Sequence, residues 1–187
     1  MKRINLIIAG IAILVLLHCS SYAQYYTKNQ VSPVRVGSTI LNLGIGAGAD
    51  YKNDYYNTPF GAKMAIEWGL WQAGPGVITL GGETGGSFSN DRYYGDRRPE
   101  TIVFAGRSAW HYGWKVRGLD TYGGLSAGIG IHHYEYNGDV YQSGTETIPV
   151  LGAFVGASYF VSPHFGFNSE MGFDITNFQV GVVFKLN

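Results

Sequence analysis

Between residues 177 and 187 the chain alternates with a period of two. Phe178, Val180, Val182, Phe184 and Leu186 fall on one side, and Asn177, Gln179, Gly181, Val183, Lys185 and Asn187 on the other. Successive side chains of a β-strand point to opposite faces, so this spacing predicts a strand with one apolar and one largely polar face. The split recurs upstream. Phe60, Ala62, Met64, Ile66, Trp68 and Leu70 alternate with Gly61, Lys63, Ala65, Glu67, Gly69 and Trp71. Ile102, Phe104, Trp110, Tyr112 and Trp114 share a side with Gly106 and Ser108, against Val103, Ala105, Arg107, Ala109, His111 and Gly113. Residues 77–88, 119–132 and 164–174 obey the same rule, whereas 37–48 and 148–160 are apolar on both sides and give no direction. The expectation is an all-β chain: eight antiparallel strands separated by Gly, Asn, Asp, Ser and Pro, with no trustworthy helical period beyond the first residues.

The connections alternate in length. Residues 72–75, 115–118 and 161–163 are tight; 49–59, 89–99 and 133–146 are longer and polar, with a short fourth near Thr176. Tight turns on one rim, longer loops on the other and an even strand count are the layout of an up-and-down transmembrane β-barrel of the bacterial outer membrane, with both termini on the tight-turn side. Closure follows from the solvent. Hydrocarbon offers no hydrogen bonds, so an open sheet edge would leave backbone N–H and C=O groups unpaired.

Alternation alone does not say whether the apolar side lines a soluble core, as in a lipocalin-like barrel, or meets lipid. The aromatic positions decide. Trp68, Trp71, Trp110, Trp114, Tyr159, Phe160 and Phe184 fall at strand ends that run into the tight turns, and Phe60, Phe88, Phe173 and Phe178 at the opposite ends. Two aromatic rings around an aliphatic and glycine band are what headgroup preference produces. Trp68, Trp71, Trp110, Trp114, Phe160 and Phe184 are therefore expected to form the girdle on the tight-turn side. The polar side carries Lys63, Glu67, Glu83, Arg107, Asp120, Glu170 and Lys185, mixed in sign and set among small residues. In an eight-stranded barrel such side chains fill the interior rather than line a wide pore. Counting from the tight-turn rim puts Lys63, Glu83 and Arg107 at similar height, so Glu83 is expected to pair with one or both cations.

The chain begins with Lys2 and Arg3, an apolar run over residues 6–17 and then Ser21-Tyr22-Ala23, the pattern of a secretory signal peptide. Twelve apolar residues are fewer than the roughly 20 that a spanning helix needs. Cleavage after Ala23 is expected, leaving a periplasmic segment over 24–35 and the barrel over 36–187. His18 stands before Cys19 where a lipidation site wants a small residue, so Cys19 is read as discarded with the signal. The mature chain then has no cysteine, hence neither disulfides nor a thiolate metal site. Losing Lys2 and Arg3 from thirteen Lys and Arg leaves eleven against thirteen Asp and Glu, a net charge near −2 that gives no reason to expect nucleic-acid binding.

At the other end, Gln179-Val180-Gly181-Val182-Val183-Phe184-Lys185-Leu186 follows the order polar, any, Gly, two any, aromatic, any, hydrophobic. With Gln179, Gly181, Phe184 and Leu186 in the defined places, it resembles the signal by which outer-membrane barrels are recognised for insertion. Leu186-Asn187 stands where a terminal aromatic is common. Together with a strand layout covering nearly the whole mature chain, this makes the sequence similar to the small outer-membrane barrels of the OmpX type and to the OmpA transmembrane domain, with no OmpA-like periplasmic domain expected after Asn187. The resemblance implies a place in the outer membrane of a Gram-negative-type envelope, contact with outer-membrane lipid and folding through the barrel-assembly machinery. It also implies roles in adhesion, envelope integrity or binding of an extracellular protein or surface ligand through the loops. Fold does not choose among these.

No catalytic, cofactor or metal residue is expected. Some barrels of this size modify lipid A, but a deacylase of the PagL type needs a His-x-Ser pair, and none of His111, His132, His133 and His164 has a serine two residues on. His111 is expected in the lumen opposite Tyr122. His133, Asp139 and Ser143 supply the residue types of a PagP-type palmitoyltransferase, yet such residues are ordinary in a solvated loop. His132 and His133 with Glu135 or Asp139 fall short of a metal site, because adjacent strand residues point to opposite faces and three or four ligands must converge. Gly44-Ile45-Gly46-Ala47-Gly48 lacks the helix and lysine of a nucleotide loop and reads as close strand approach. What remains are loop tyrosines: Tyr51, Tyr55 and Tyr56, then Tyr93 and Tyr94, then Tyr134, Tyr136 and Tyr141, set among Asp, Asn and Arg. They form either a contact surface of low entropy cost or an upper interfacial belt. The expected function is a surface protein anchored by its barrel and acting through its loops. A narrow pore or conduit for a small hydrophobic ligand is the alternative, and a lipid A-modifying enzyme the third reading.

Overall fold

The computed structural model describes residues 32–48, 60–88, 100–137 and 141–187. Among them eight strands close into one antiparallel barrel in chain order: β1 Thr39–Gly48, β2 Phe60–Ala73, β3 Gly76–Phe88, β4 Glu100–Gly113, β5 Leu119–Asn137, β6 Tyr141–Phe160, β7 Phe165–Gly172 and β8 Thr176–Lys185. The expected signal peptide, Cys19 and the 49–59 and 89–99 loops lie outside the described residues.

The two-residue period becomes two surfaces. Leu43, Ile45, Met64, Leu80, Phe104 and Val180 point outward, with Leu125 67% and Leu151 74% exposed, while Lys63, Glu67, Glu83, Arg107, Asp120 and Glu170 are buried inside. An apolar outer band this extensive is mismatched to water and matched to hydrocarbon. The two strands without a direction in the sequence take the same rule. Ile40 and Asn42 face in while Leu43 and Ile45 face out, and Val150 and Phe154 face in while Leu151 and Val155 face out.

Both inner faces are apolar there because the interior is layered. At the tight-turn end Val34, Ile40, Phe160 and Val183 form an apolar plug; at the other end Val103, Val150 and Ile175 form a second, with Ala105 and Ile148 packed on it. The charged side chains lie between. Val34 reaches the lower plug from residues 32–38, which cross under the barrel through Gly37 N–H to Gly69 O and Gly69 N–H to Ser38 O, both 2.8 Å. Val34, in the described end of the 24–35 segment, therefore packs into the barrel.

Two expectations are corrected, and the outward place expected of Trp71 is reached against the parity of its strand. Phe160 is 8% exposed and lies in the lower plug, while Tyr159, 51% exposed, takes the outward place; alternation allows only one of two adjacent aromatics to meet lipid. Trp71 does face out, although its parity in β2 is that of Lys63 and Glu67. The β2–β3 register shifts between Gly69 and Trp71, and the extra residue of this β-bulge returns Trp71 to the outer face beside Leu70 and Trp68. Finally, the 133–146 loop is mostly strand, since β5 and β6 stay paired from Leu119↔Tyr159 to Asn137↔Tyr141.

That hairpin outruns its neighbour on one side. β7 pairs with β6 only as far as Phe154↔Gly172, so among the described residues the upper part of β6 has no strand beyond it. Phe173 N–H donates to Ala153 O at 3.1 Å, which shows that odd-numbered residues of β6 turn their backbone groups to this edge. Pro149 is one of them. Having no N–H, proline is tolerated in a strand where that position faces an open edge.

Candidate functional site

Small inward residues make room for a few large ones in the narrow lumen. A Cβ at Gly81 would strike the β2 backbone, and Cβ atoms at Gly124 and Gly156 would strike Phe154 and Tyr122. Glu67, Gly81 and Arg107 stand side by side in the register of β2, β3 and β4, so the missing side chain in the middle lets Arg107 reach across to Glu67.

Arg107 is the hub. Its Nε lies 3.0 Å from Glu67 Oε1, Nη1 is 2.9 Å from Glu83 Oε2, and Nη2 is 3.0 Å from Glu170 Oε2. The guanidinium also lies over Phe154, with Cζ 3.9 Å from the ring centroid. Lys63 Nζ donates to Asp174 Oδ2 at 2.7 Å and to Glu170 Oε1, and stands 3.7 Å from Glu83 Oε2. Beyond Glu67, His111 Nε2 is 3.4 Å from Glu67 Oε2 and His111 Nδ1 is 2.8 Å from Asp120 Oδ2. Thr79 donates its hydroxyl to Glu67, and Tyr122 stacks on His111 with centroids 5.0 Å apart. The result is one continuous network: Asp174, Lys63, Glu170 and Glu83 with Arg107, then Glu67, His111 and Asp120.

Five carboxylates thus meet two permanent cations and one imidazole. The planar guanidinium, with five donors, meets Glu67, Glu83 and Glu170 in one fork, while the Lys63 ammonium is shared among Glu83, Glu170 and Asp174. The network occupies the cross-section and locks strands β2, β3, β4, β5 and β7 through their inner faces. It is not a catalytic arrangement. Asp120 and His111 have the form of an acid–base dyad, but the second ring nitrogen of His111 faces a carboxylate rather than a hydroxyl, and the ring is 1% exposed.

No protein-family model matches the sequence, and no curated protein matches it. Solved structures do. The chain is similar to Neisserial surface protein A, NspA, at 13% identity and a TM-score of 0.51, over 80% of this chain and 97% of that one. The fold is that of the small outer-membrane β-barrels. Ail, the attachment invasion locus protein of Yersinia pestis, aligns over 80% of this chain and 95% of its own at 16% identity and a TM-score of 0.49. The N-terminal β-barrel domain of Pseudomonas aeruginosa OprF aligns over 81% and 98%, at 15% identity and the same score.

In this barrel the C-terminal motif is the closing seam. Gln179 points inward to Thr176 at 3.2 Å, Phe184 packs beside Phe165 with centroids 5.3 Å apart, and Leu186 N–H bonds Thr39 O at 2.9 Å. Gly181 lies opposite Gly44 of β1, and a Cβ on Gly181 would collide with the Leu43 carbonyl. The seam glycine is thus required for β8 to approach β1. Trp68, Trp71, Trp110 and Trp114 are all exposed on the outer face. Trp110 Nε1 bonds Ala73 O and Trp114 Nε1 bonds Thr121 Oγ1, each at 2.9 Å, as amphipathic rings at an interface do.

Of the seven charged residues expected inside, six join the network and Lys185 does not. Its ammonium donates to Pro33 O at 3.1 Å, because β8 has reached the tight-turn rim by that point and the crossing segment offers a carbonyl there. Asp174 and His111 complete the network. Asp174 was missed, although it shares the even parity of Glu170, and the place of His111 opposite Tyr122 pointed to the lumen without indicating its carboxylate partners. His132 bonds Thr101 Oγ1 at 2.9 Å inside and His133 bonds Thr145 Oγ1 at 3.0 Å outside. Glu135, Asp139 and the loop tyrosines fall outside the described side chains. Among the described residues no group of three or more His, Cys, Asp and Glu is placed to hold a metal.

Proposed function

We propose that this chain is an outer-membrane surface protein whose barrel is a sealed anchor and whose loops and projecting β5–β6 hairpin make the functional contacts. The observation that carries the reading is the filled interior. An apolar plug at each end and an ion network with Arg107 and Glu67 at 0% side-chain exposure between them fill the lumen among the described residues and oppose passage of a solute. That argues against the conduit reading. With the lumen occupied and the wall facing hydrocarbon, only the rims and loops are left to meet a partner.

Export through a signal peptide ending at Ala23, and insertion by the barrel-assembly machinery reading Gln179, Gly181, Phe184 and Leu186, belong to the same proposal. So does an adhesion-type contact with an extracellular protein or surface ligand. Two measurements test it together. The refolded barrel is expected to stay electrically silent in a planar bilayer, and deletion of residues 91–98 is expected to leave heat-modifiable gel migration intact while changing attachment of cells to surfaces. Steady conductance would return the conduit reading, and unaltered attachment would remove the loop role.

A further inference from the structure

Charge is sorted by position among the described side chains of this barrel. Among the described side chains, Glu146 is the one exposed Asp or Glu, and it sits on the projecting hairpin; Glu67, Glu83, Asp120, Glu170 and Asp174 are all buried in the lumen. The exposed cations among the described side chains have the opposite address. Arg35 lies in the segment that crosses under the barrel, and Lys115 and Arg117 lie in the turn between β4 and β5, all three exposed. Lys185, half-buried at the end of β8, adds its charge at the same rim, with its ammonium on Pro33 O. The tight-turn rim is therefore basic, with no exposed acid among its described residues.

The same rim bears the tryptophans. Trp71, Trp110 and Trp114 stand on its outer face, Trp110 and Trp114 each hold Tyr112 between them at 5.6 and 5.0 Å, and Val116 is exposed between Lys115 and Arg117. Indole rings with bonded N–H groups mark the headgroup level. Lys115 and Arg117, one and three residues beyond Trp114, stand at the depth of lipid phosphates, where long basic side chains extend to water and pair with anionic groups.

We propose that this basic rim binds the headgroups of anionic phospholipids in the leaflet that the tight turns meet, and so selects the lipid around the barrel. The proposal rests on the barrel spanning a membrane. An anionic surface recruits each nearby Lys or Arg with a gain of roughly fivefold in binding, and the attraction is screened within about 10 Å at 0.1 M salt.

The four tryptophans of the chain all stand on the outer face toward this rim, so their fluorescence reads the lipid there. The barrel is refolded into phosphatidylcholine vesicles containing phosphatidylglycerol, with one or the other lipid brominated at equal mole fraction. The brominated anionic lipid is expected to quench more strongly, with a relative association constant of about 5 at low salt that falls toward unity at roughly 0.5 M sodium chloride. The triple variant R35Q/K115Q/R117Q, checked for folding by heat-modifiable migration, is expected to lose most of the preference. Equal quenching by both lipids in the folded wild-type barrel overturns the proposal, as does a preference that the triple variant retains. Quenching by neither lipid removes the membrane reading itself, an outcome distinct from a barrel that is inserted but indifferent to charge.

Discussion

Replacing Arg107 by Met removes the side chain that Glu67, Glu83 and Glu170 share. Each of its contacts lies within 2.9–3.0 Å, which at an effective dielectric near 20 is about 5 kcal/mol of Coulomb attraction apiece. Most of that is offset by the desolvation of the guanidinium, so the sum is not the loss. What decides the outcome is the state left behind: Glu67, Glu83 and Glu170 buried with Lys63 and His111 alone to balance them. Breaking a buried network by removing one partner costs about 3–5 kcal/mol. With an m-value of roughly 2 kcal/mol per molar urea, the unfolding midpoint of the vesicle-inserted barrel, followed by tryptophan fluorescence, is expected to fall by about 2 M. R107K keeps the charge but lacks the fork and the Phe154 contact, so its loss is expected to lie between those of R107M and wild type. Adding Glu67→Gln and Glu170→Gln to R107M is expected to recover part of the deficit, because the penalty belongs to uncompensated carboxylates. An R107M barrel within about 0.5 kcal/mol of wild type, or one indistinguishable from R107K, would refute the reasoning.

Gly181→Val places a branched side chain against the Leu43 carbonyl at the β1–β8 seam; the fraction reaching the heat-modifiable folded form should drop sharply, and an unchanged fraction would mean the seam tolerates separation. Phe160→Ala, which opens a cavity in the lower plug, should cost about 3–5 kcal/mol, and Tyr159→Ala, on the lipid face, clearly less; comparable losses in urea unfolding would contradict the assigned directions. A variant retaining Trp71 as its sole tryptophan should be quenched by brominated lipid as strongly as one retaining Trp68. A shielded Trp71 would mean that β2 keeps unbroken alternation and has no bulge.

What was legible in the residues is whatever a period of two can carry. The clean strands, β2, β4 and β8, alternate apolar with polar side chains, so both the strand and its outward face follow from spacing. The height of Lys63, Glu83 and Arg107 followed from counting. Parity fails where a residue is inserted: nothing in Trp68-Gly69-Leu70-Trp71 announces the bulge that turns Trp71 around. It also fails where both faces are apolar, which is why Phe160 and Tyr159 could not be told apart. The 133–146 stretch is rich in Gly, Ser, Asn and Tyr, the composition of a loop, yet a long two-stranded hairpin accepts it because β5 and β6 satisfy each other's backbone. Lys185 has the parity of a lumen residue, but parity says nothing of how far along the barrel axis a residue stands, and it ends at the rim on Pro33. Finally, the partners of His111 come from β2 and β5, and spacing within β4 carries no information on which residues of its neighbours stand at the same height.

The central claim is that the apolar side of every strand meets hydrocarbon while the charged side fills the lumen. Nitroxide labels placed singly at consecutive positions of β8 test it most directly, by their collision rates with oxygen, which partitions into lipid, and with a water-soluble nickel chelate. Positions 178, 180, 182 and 184 are expected to be oxygen-accessible and shielded from nickel, while 179 and 183 resist both. Nickel access at the even positions, or burial of the even set with exposure of the odd in a barrel that stays soluble without lipid or detergent, would contradict the account.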